Sequence, residues 1–329
     1  MKSNMTLKEA AKFIKENNNF ILSAHETPDG DAVGGEIAFY LALEKIEKNI
    51  RIINSDPFPI KFNYLNKSKV IETIQEKEDY PDNLSDTILI ILDTNDIHNI
   101  GSVSRLLLPH VRDVLIIDHH VKDFDKEHKA LIDDDSSSTC EIIFELIEEL
   151  NIEIDVKIAE ALFTGIVYDT GSFVYPKTSA KTFETAYKLV KTGVNPNYIF
   201  SKMYESNSIE SLILQSRVMS TLELIMDQRV AMLTMLKEMI IDCKASYEDA
   251  DQIINIPLRS EKVRISIFFK ENLMGILRCS LRSKGGVNVA EIARGFGGGG
   301  HKTAAGFKCR EPLEIIREKV LEQLSIYFT

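Results

Sequence analysis

The sequence predicts an α/β protein in which an N-terminal doubly wound, mostly parallel sheet is joined by a helical connector to a smaller α/β domain. The functional site is expected in the cleft between the two domains. Three observations carry this expectation. The chain has 329 residues, about twice the ~150 of an ordinary domain. Short continuous apolar runs alternate with helical patterns through the first half, as strands covered on both faces of a parallel sheet require. A helical stretch without strand signal then precedes a second set of strand-like runs. The expected division is residues 1–194, a connector at 195–225, and 226–329.

Each element has a reason in the residues. Positions 6–17 form an amphipathic helix with Leu7, Ala10, Ala11 and Ile14 on one face. Residues 20–24 form a short buried strand, 32–48 a helix and 49–54 a strand. The compact apolar runs TILIIL at 87–92 and VLII at 114–117 have strand length. Residues 139–150, 156–168 and 179–192 are helical. Beyond 223, strands are expected at 230–235, 263–269 and 274–281. Short helices interleave with them near Lys237 and Glu248, and a last helix covers 312–324. Eight of the sixteen glycines fall between Gly285 and Gly306, mixed with Arg, His and Phe. A linker would mix Gly with Ser, so this composition suggests a binding loop.

Composition excludes several classes. Hydrophobic residues make up 44% and charged residues 27%, as in soluble globular proteins and not in disordered or fibrous chains. No uncharged apolar run nears the ~18 residues of a membrane span, and the N-terminus lacks a signal-peptide core. The expected location is therefore the cytoplasm, away from membranes. Cys140, Cys243, Cys279 and Cys309 form no C-x-x-C pair, which makes them ordinary buried thiols and not zinc ligands. The net charge is −11 but uneven. Between Arg259 and Arg310 stand eleven basic residues against Glu261, Glu271 and Glu291, so that stretch carries +8 and the remainder −19. Such asymmetry fits a local anion-binding surface. It disfavours long duplex nucleic acid, which the acidic remainder would repel.

Three apolar strands run into metal-type residues. The first ends in His25, followed by Asp29 and Asp31, the run at 87–92 in Asp93, and the run at 114–117 in Asp118, His119 and His120. A later apolar helix runs into Asp169. In an open parallel sheet, ligands bind at the carboxyl edge of the strands. These residues, distant in sequence, should meet there. Pro28 and Gly30 permit a sharp turn that would aim Asp29 and Asp31 at two adjacent ions. Carboxylates with a minority of imidazoles suit Mn²⁺ or Mg²⁺, the imidazoles favouring Mn²⁺. Two such ions ~3.5–4 Å apart can hold a bridging hydroxide and neutralise a phosphate. Plainer roles exist: Asp29 and Asp31 as helix caps, Asp93 as a turn residue. His98, His110 and His128 have polar surroundings without paired acids and are expected at the surface. Asp133, Asp134 and Asp135, ahead of Ser136–Thr139, are expected to cap a helix.

HETPDGDAVGG, ILDTND, IDHH and YDTGSF resemble, in order, the four motifs of the DHH phosphoesterases. SLRSKGGVNVAEIARGFGGGGHKTAAGF resembles the DHH-associated C-terminal domain. The subgroup most similar is that of the nanoRNases, pAp phosphatases and stand-alone cyclic-di-AMP or pApA phosphodiesterases. The resemblance implies two Mn²⁺ ions, with Mg²⁺ as the alternative. His25, Asp29 and Asp93 would hold the first. Asp31, Asp93, His119 and Asp169 would hold the second. It implies His120 facing the scissile phosphate and Asp118 orienting an imidazole, so that His120, Asp118 and Asp93 carry the catalysis. It implies nucleotide binding by Arg282, Ser283, Gly298, Gly299, Gly300 and His301, beside His120. The loop has four glycines before His301 where the family has three, which leaves its register open.

The expected activity is a two-metal phosphodiesterase. A bridging hydroxide would attack phosphorus and release nucleoside 5′-monophosphates from nanoRNA or pApA. The alternatives within the same chemistry are opening of cyclic di-AMP and removal of the 3′-phosphate of pAp. A non-enzymatic sensor of cyclic dinucleotides would carry degenerate ligands, and none is degenerate here. A tRNA-editing protein would carry an H-x-x-x-H pattern, which is absent. The expected partner is a short oligonucleotide or dinucleotide, and the protein is expected to be a monomer or homodimer.

Overall fold

The computed structural model describes residues 4–65, 70–76, 81–120 and 127–328, without the side chain of His301. The chain divides into two compact units, residues 1–206 and 207–329.

The first unit contains strands β1 (Asn19–Ala24), β2 (Asn49–Asn54), β3 (Ile71–Thr73), β4 (Ile88–Leu92), β5 (Asp113–Asp118) and β6 (Lys129–Ile132). Its helices are α1 (Leu7–Glu16), α2 (Gly30–Lys45), α3 (Ser102–Leu106), α4 (Thr139–Glu149), α5 (Val156–Asp169), α6 (Ala180–Lys191) and α7 (Pro196–Tyr204). All the strands pair in parallel, in the order β3-β2-β1-β4-β5-β6. Alternate residues of the central strands enter two cores. Phe20, Leu22, Ile88, Ile90 and Leu92 pack with α1, α2, α4 and α5 on one face. Ile21, Leu89, Ile91, Val114 and Ile116 pack with α3 on the other. This is why the runs read as continuously apolar.

The order of the strands reverses between β1 and β4, so a crevice opens at their carboxyl ends. Helices α2 and α5 approach there closely. A Cβ on Gly34 would stand 2.5 Å from the Ala161 carbonyl oxygen, and one on Gly165 would stand 2.2 Å from Cys140 Sγ. Only glycine fits either position. Helix α2 starts at Gly30, two residues before the sequence pattern suggests. The Asp29 carboxylate supplies the cap by accepting from the Asp31 and Ala32 amides.

The second unit contains α8 (Ile209–Met219), β7 (Glu223–Ile225), β8 (Val230–Met235), α9 (Lys237–Cys243), β9 (Ile265–Glu271), β10 (Leu277–Ser283), α10 (Val289–Gly295), β11 (Gly299–His301), β12 (Ala304–Cys309) and α11 (Leu313–Ser325). Its sheet runs β11-β12-β10-β9-β8-β7, with only β8–β9 parallel. Helices α10 and α11 cover one face. Helices α8 and α9 and the 3-10 segment Tyr247–Asn255 cover the other face at β8 and β9. Cys140, Cys243 and Cys279 are buried as expected, but Cys309 is only partly so. It lies beyond the last residue at which β11 pairs with β12.

No helix of the described residues is long and apolar enough to cross a membrane.

Candidate functional site

The crevice of the first unit gathers residues from four elements. His25 follows β1, and its Nδ1 lies 2.8 Å from the Glu26 carbonyl oxygen, so Nδ1–H donates there and the Nε2 lone pair is free to bind. Asp93 follows β4 with φ of 61°. This left-handed conformation costs ~1–2 kcal/mol for a residue with a Cβ. Asp118 ends β5, and His119 and His120 follow it. Asp169 is the last residue of α5.

Distances tie these groups together. His25 Nε2 lies 3.5 Å from Asp93 Oδ2. His119 Nε2 lies 3.2 Å from Asp169 Oδ2, 3.6 Å from Asp93 Oδ1 and 3.9 Å from Asp31 Oδ2. One atom each from His25, Asp29 and Asp93 lies within 4.8 Å of the others, and so does one each from Asp31, His119 and Asp169. Asp93 and His119 also cluster with Asp118 and His120. The six residues suggested as metal ligands are thus together at one strand edge.

Their environment fits a divalent cation. His119 Nε2 is buried and has no hydrogen-bond partner, an arrangement that costs ~1–3 kcal/mol when nothing fills it. Three carboxylates surround that atom. Burial pushes Asp31 up to about 6, with the Asp29 charge adding to it. Burial, then the charges of Asp31 and Asp29, pushes Asp93 and Asp169 well above the carboxylate range. Burial also lowers His119 to about 3, helped by His120 and Lys177, so the imidazole is neutral and able to ligate. A bound cation of charge two would relieve the repulsion among the acids.

The neighbouring pair behaves differently. Burial alone would raise Asp118, but the hydrogen bond from His120 and the charges of both histidines outweigh it, and its carboxyl titrates below the ordinary range. His120 Nδ1 donates to Asp118 Oδ1 at 2.7 Å. Burial opposes the charged imidazole, yet Asp118 and Asp93 raise His120 to about 9. The result is a cationic, partly exposed ring at the rim.

Several groups that the sequence reading left out hold the ligands. The α4 N-terminus contributes the Thr139 and Cys140 amides, which donate to Asp31 at 2.6 and 2.9 Å. Thr139 Oγ1 donates to Asp93 Oδ1 at 3.1 Å. Lys177 Nζ donates to the His119 carbonyl at 2.9 Å. Nothing in the sequence pairs these positions, because each contact spans at least 46 residues. Asp133, Asp134 and Asp135 also lie close together, but Asp133 is engaged by Ser136 and Lys181. His98 and His110 are exposed, and His128 is partly so.

In the second unit, Arg282 and Ser283 end β10. Ser283 is buried and its hydroxyl donates to the Val287 carbonyl at 3.0 Å, leaving only acceptor capacity. A Cβ on Gly298 would meet the Gly306 carbonyl oxygen at 2.3 Å, and one on Gly300 would meet the Ala304 carbonyl oxygen at 2.5 Å, whereas Gly299 faces open space. The His301 side chain lies outside the described residues.

Two family models match the chain in sequence. The DHH family, N-terminal domain, matches residues 19–166, and the DHHA1 domain matches residues 229–325. The chain therefore carries a DHH domain followed by a DHHA1 domain. Among curated relatives, the "Bifunctional oligoribonuclease and PAP phosphatase NrnA" of Thermus thermophilus is 27% identical, across 92% of this chain and 87% of that protein. The protein of the same name from Bacillus subtilis is 26% identical, across 91% of each. The "Cyclic-di-AMP phosphodiesterase GdpP" of Bacillus subtilis is 25% identical across 94% of this chain and 49% of its own length. A crystal structure of an exopolyphosphatase-related protein from Bacteroides fragilis superposes with a TM-score of 0.91, at 25% identity and over 98% of both chains. With these two domains and these relatives, the chain is a hydrolase.

Proposed function

We propose that this protein hydrolyses the phosphodiester bond of short linear oligonucleotides and dinucleotides to nucleoside 5′-monophosphates, using two divalent cations, preferably Mn²⁺. The observation that carries this reading is the pair of ligand sets, His25–Asp29–Asp93 and Asp31–His119–Asp169, side by side at one strand edge. Asp93 is within reach of both sets, since its two oxygens lie near His25 and His119 respectively. His25, Asp29 and Asp93 would hold one ion, and Asp31, Asp93, His119 and Asp169 the other. When bound, a pair of such ions lowers the pKa of water and neutralises charge on the phosphoryl oxygens.

The chain's own residues do the rest. Asp118 accepts the hydrogen bond of His120 Nδ1–H, so the other ring N–H is left to donate to a phosphoryl oxygen. The Glu26 carbonyl fixes the tautomer of His25. The α4 amides hold Asp31 in place before any ion arrives, so little reorganisation accompanies binding. The first unit is the catalytic part in this reading. The second holds the nucleotide through Arg282, the backbone of Gly298–Gly300 and His301, with Ser283 as part of that wall. Glycine N–H groups can approach phosphate closely. We place the activity in the cytoplasm.

A second reading, release of phosphate from pAp, is favoured by the names of the Thermus and Bacillus relatives, which join both activities. A product time-course separates the possibilities. The substrates are pApA, a five-nucleotide RNA, cyclic di-AMP and pAp, each with Mn²⁺ and with chelator. Metal-dependent release of AMP from pApA and the short RNA is expected. Rapid loss of cyclic di-AMP with pApA untouched would overturn the proposal.

A further inference from the structure

The second unit carries a row of like charges that its fold does not need. Lys270 on β9 stands opposite Arg278 on β10, and Arg278 stands opposite Lys308 on β12. Directly opposed residues of antiparallel strands project on the same face, and like charges there destabilise the pairing. Lys270 is buried and compensated by Asp251. Arg278 and Lys308 are exposed. Among the described residues, neither side chain has a hydrogen-bond or ion-pair partner.

The surface between these cations and the glycine-rich end is lined by small residues. Along β10 the outward residues are Arg278, Ser280 and Arg282, alternating with the buried Leu277, Cys279 and Leu281. Along β12 they are Lys308, Gly306 and Ala304. The 3-10 segment over β8 and β9 also touches β10, but these outward residues of β10 and β12 remain partly or fully exposed. The middle of this surface is made of Ser280, Gly306 and Ala304, all small. Gly306 cannot be larger, since a Cβ there would lie 2.8 Å from the Cys279 carbonyl oxygen. Arg282 closes one end beside Ala304 and β11. Arg278 and Lys308 close the other, four strand residues away, or about 13 Å.

We propose that Arg278 and Lys308 form a second phosphate site, which takes the far phosphates of substrates longer than a dinucleotide. This rests on the reading of the protein as an oligonucleotide hydrolase. A strand anchored at the Arg282 end lies along the small residues, and its next phosphates arrive at two cations that have no ion-pair partner among the described residues. The phosphates replace like-charge repulsion with charge-assisted hydrogen bonds. Substrate length is therefore sensed on β10 and β12, apart from the residues that would hold the cations.

The test uses the full-length protein and the exposed variants Arg278→Gln, Lys308→Gln and the double variant, with Arg278→Lys as the charge-retaining control. Binding of fluorescein-labelled penta-adenylate is followed by anisotropy in chelator across a salt series. The wild type binds, and the double variant loses about 1.4 from the slope of log K against log salt, at ~0.7 per phosphate contact on a single strand. Turnover is then measured from pApA to pA₅ with Mn²⁺. For Arg278→Gln the loss in kcat/KM grows with length, reaching about tenfold at five nucleotides, as expected for one charged contact, and Arg278→Lys recovers most of it. A salt slope unchanged in the double variant, or a loss equal at every length, overturns the second phosphate site. Binding without hydrolysis of any substrate by the wild type overturns the hydrolase reading instead, and leaves the salt slope to decide the site.

Discussion

At the scale of single residues, Asp93 has the most demanding position. It is nearly fully buried, left-handed, and within 3.8 Å of three imidazoles. Asp93→Ala should lower turnover at least about 10³-fold, the several kcal/mol that cation-assisted charge stabilisation supplies. Its circular dichroism should match the wild type, since among the described residues the Asp93 carboxylate meets only the Thr139 hydroxyl and groups of the site. Substantial residual activity would rule out the shared-ligand assignment. Glu36 gives a second, independent prediction. It is fully buried on α2, and Asn54 donates to it at 3.0 Å. Burial pushes its carboxyl up to about 8, outweighing the Asn54 hydrogen bond and the charge of His25. The unfolded chain releases this proton near the ordinary glutamate value of 4.5. Between 4.5 and about 8 the folded state binds more protons than the unfolded state, so stability falls as pH rises. Glu36→Gln removes that contribution. Its Tm should decline less than the wild-type Tm between pH 5 and 8, as measured in chelator. Parallel profiles would show that Glu36 is ionised in the fold.

At the scale of elements, α4 links the strand edge to its acids. Two of its first amides go to Asp31, and the hydroxyl of its first residue goes to Asp93. A helix N-terminus favours negative charge, so it steadies both carboxylates before a cation binds. Thr139→Val keeps the shape and removes the bond to Asp93. Outer partners of this kind typically contribute tenfold or more to metal affinity. Titration calorimetry with Mn²⁺ should therefore show about tenfold weaker binding, with Tm in chelator nearly unchanged. Equal affinity would mean that Asp93 needs no second anchor. The close approach of α2 and α5 through Gly34 and Gly165 belongs to the same design, since it brings Asp31 and Asp169 within reach of one imidazole.

At the scale of the molecule, the buried acids are expected to make the stability of the first unit respond to cations. Without a counter-charge, Asp31, Asp93 and Asp169 each resist ionisation. A ligand that binds only the folded state adds ~2.7 kcal/mol at one hundred times its Kd. For a unit of about 200 residues that is a rise in Tm of roughly 5–10 °C. Differential scanning fluorimetry with Mn²⁺ at pH 7 should show such a rise, reversed by chelator. A Tm indifferent to Mn²⁺ would contradict the fit of this site to a divalent cation.

Much of this was legible in the residues. Apolar runs of strand length announced β1, β4 and β5, and a carboxylate or histidine at the end of each marked the ligand edge. This works because a doubly covered parallel strand must be apolar throughout and can end in polar residues only at its tip. The short strands were not legible. β3 has three residues, and β12 is built from Ala, Gly, Phe, Lys and Cys, so hydrogen bonds to neighbours, and not local preference, make them strands. The partners of the ligands were hidden for a related reason. Thr139 and Lys177 read locally as cap and loop residues. The sequence by itself therefore determined the class of fold, the domain families and the candidate ligands, because periodicity and motif order are local properties. Only the tertiary structure decided which amides and hydroxyls hold those ligands, and that Lys270, Arg278 and Lys308 stand in one row. Those facts depend on strand order and register, which bring together groups that the chain keeps far apart.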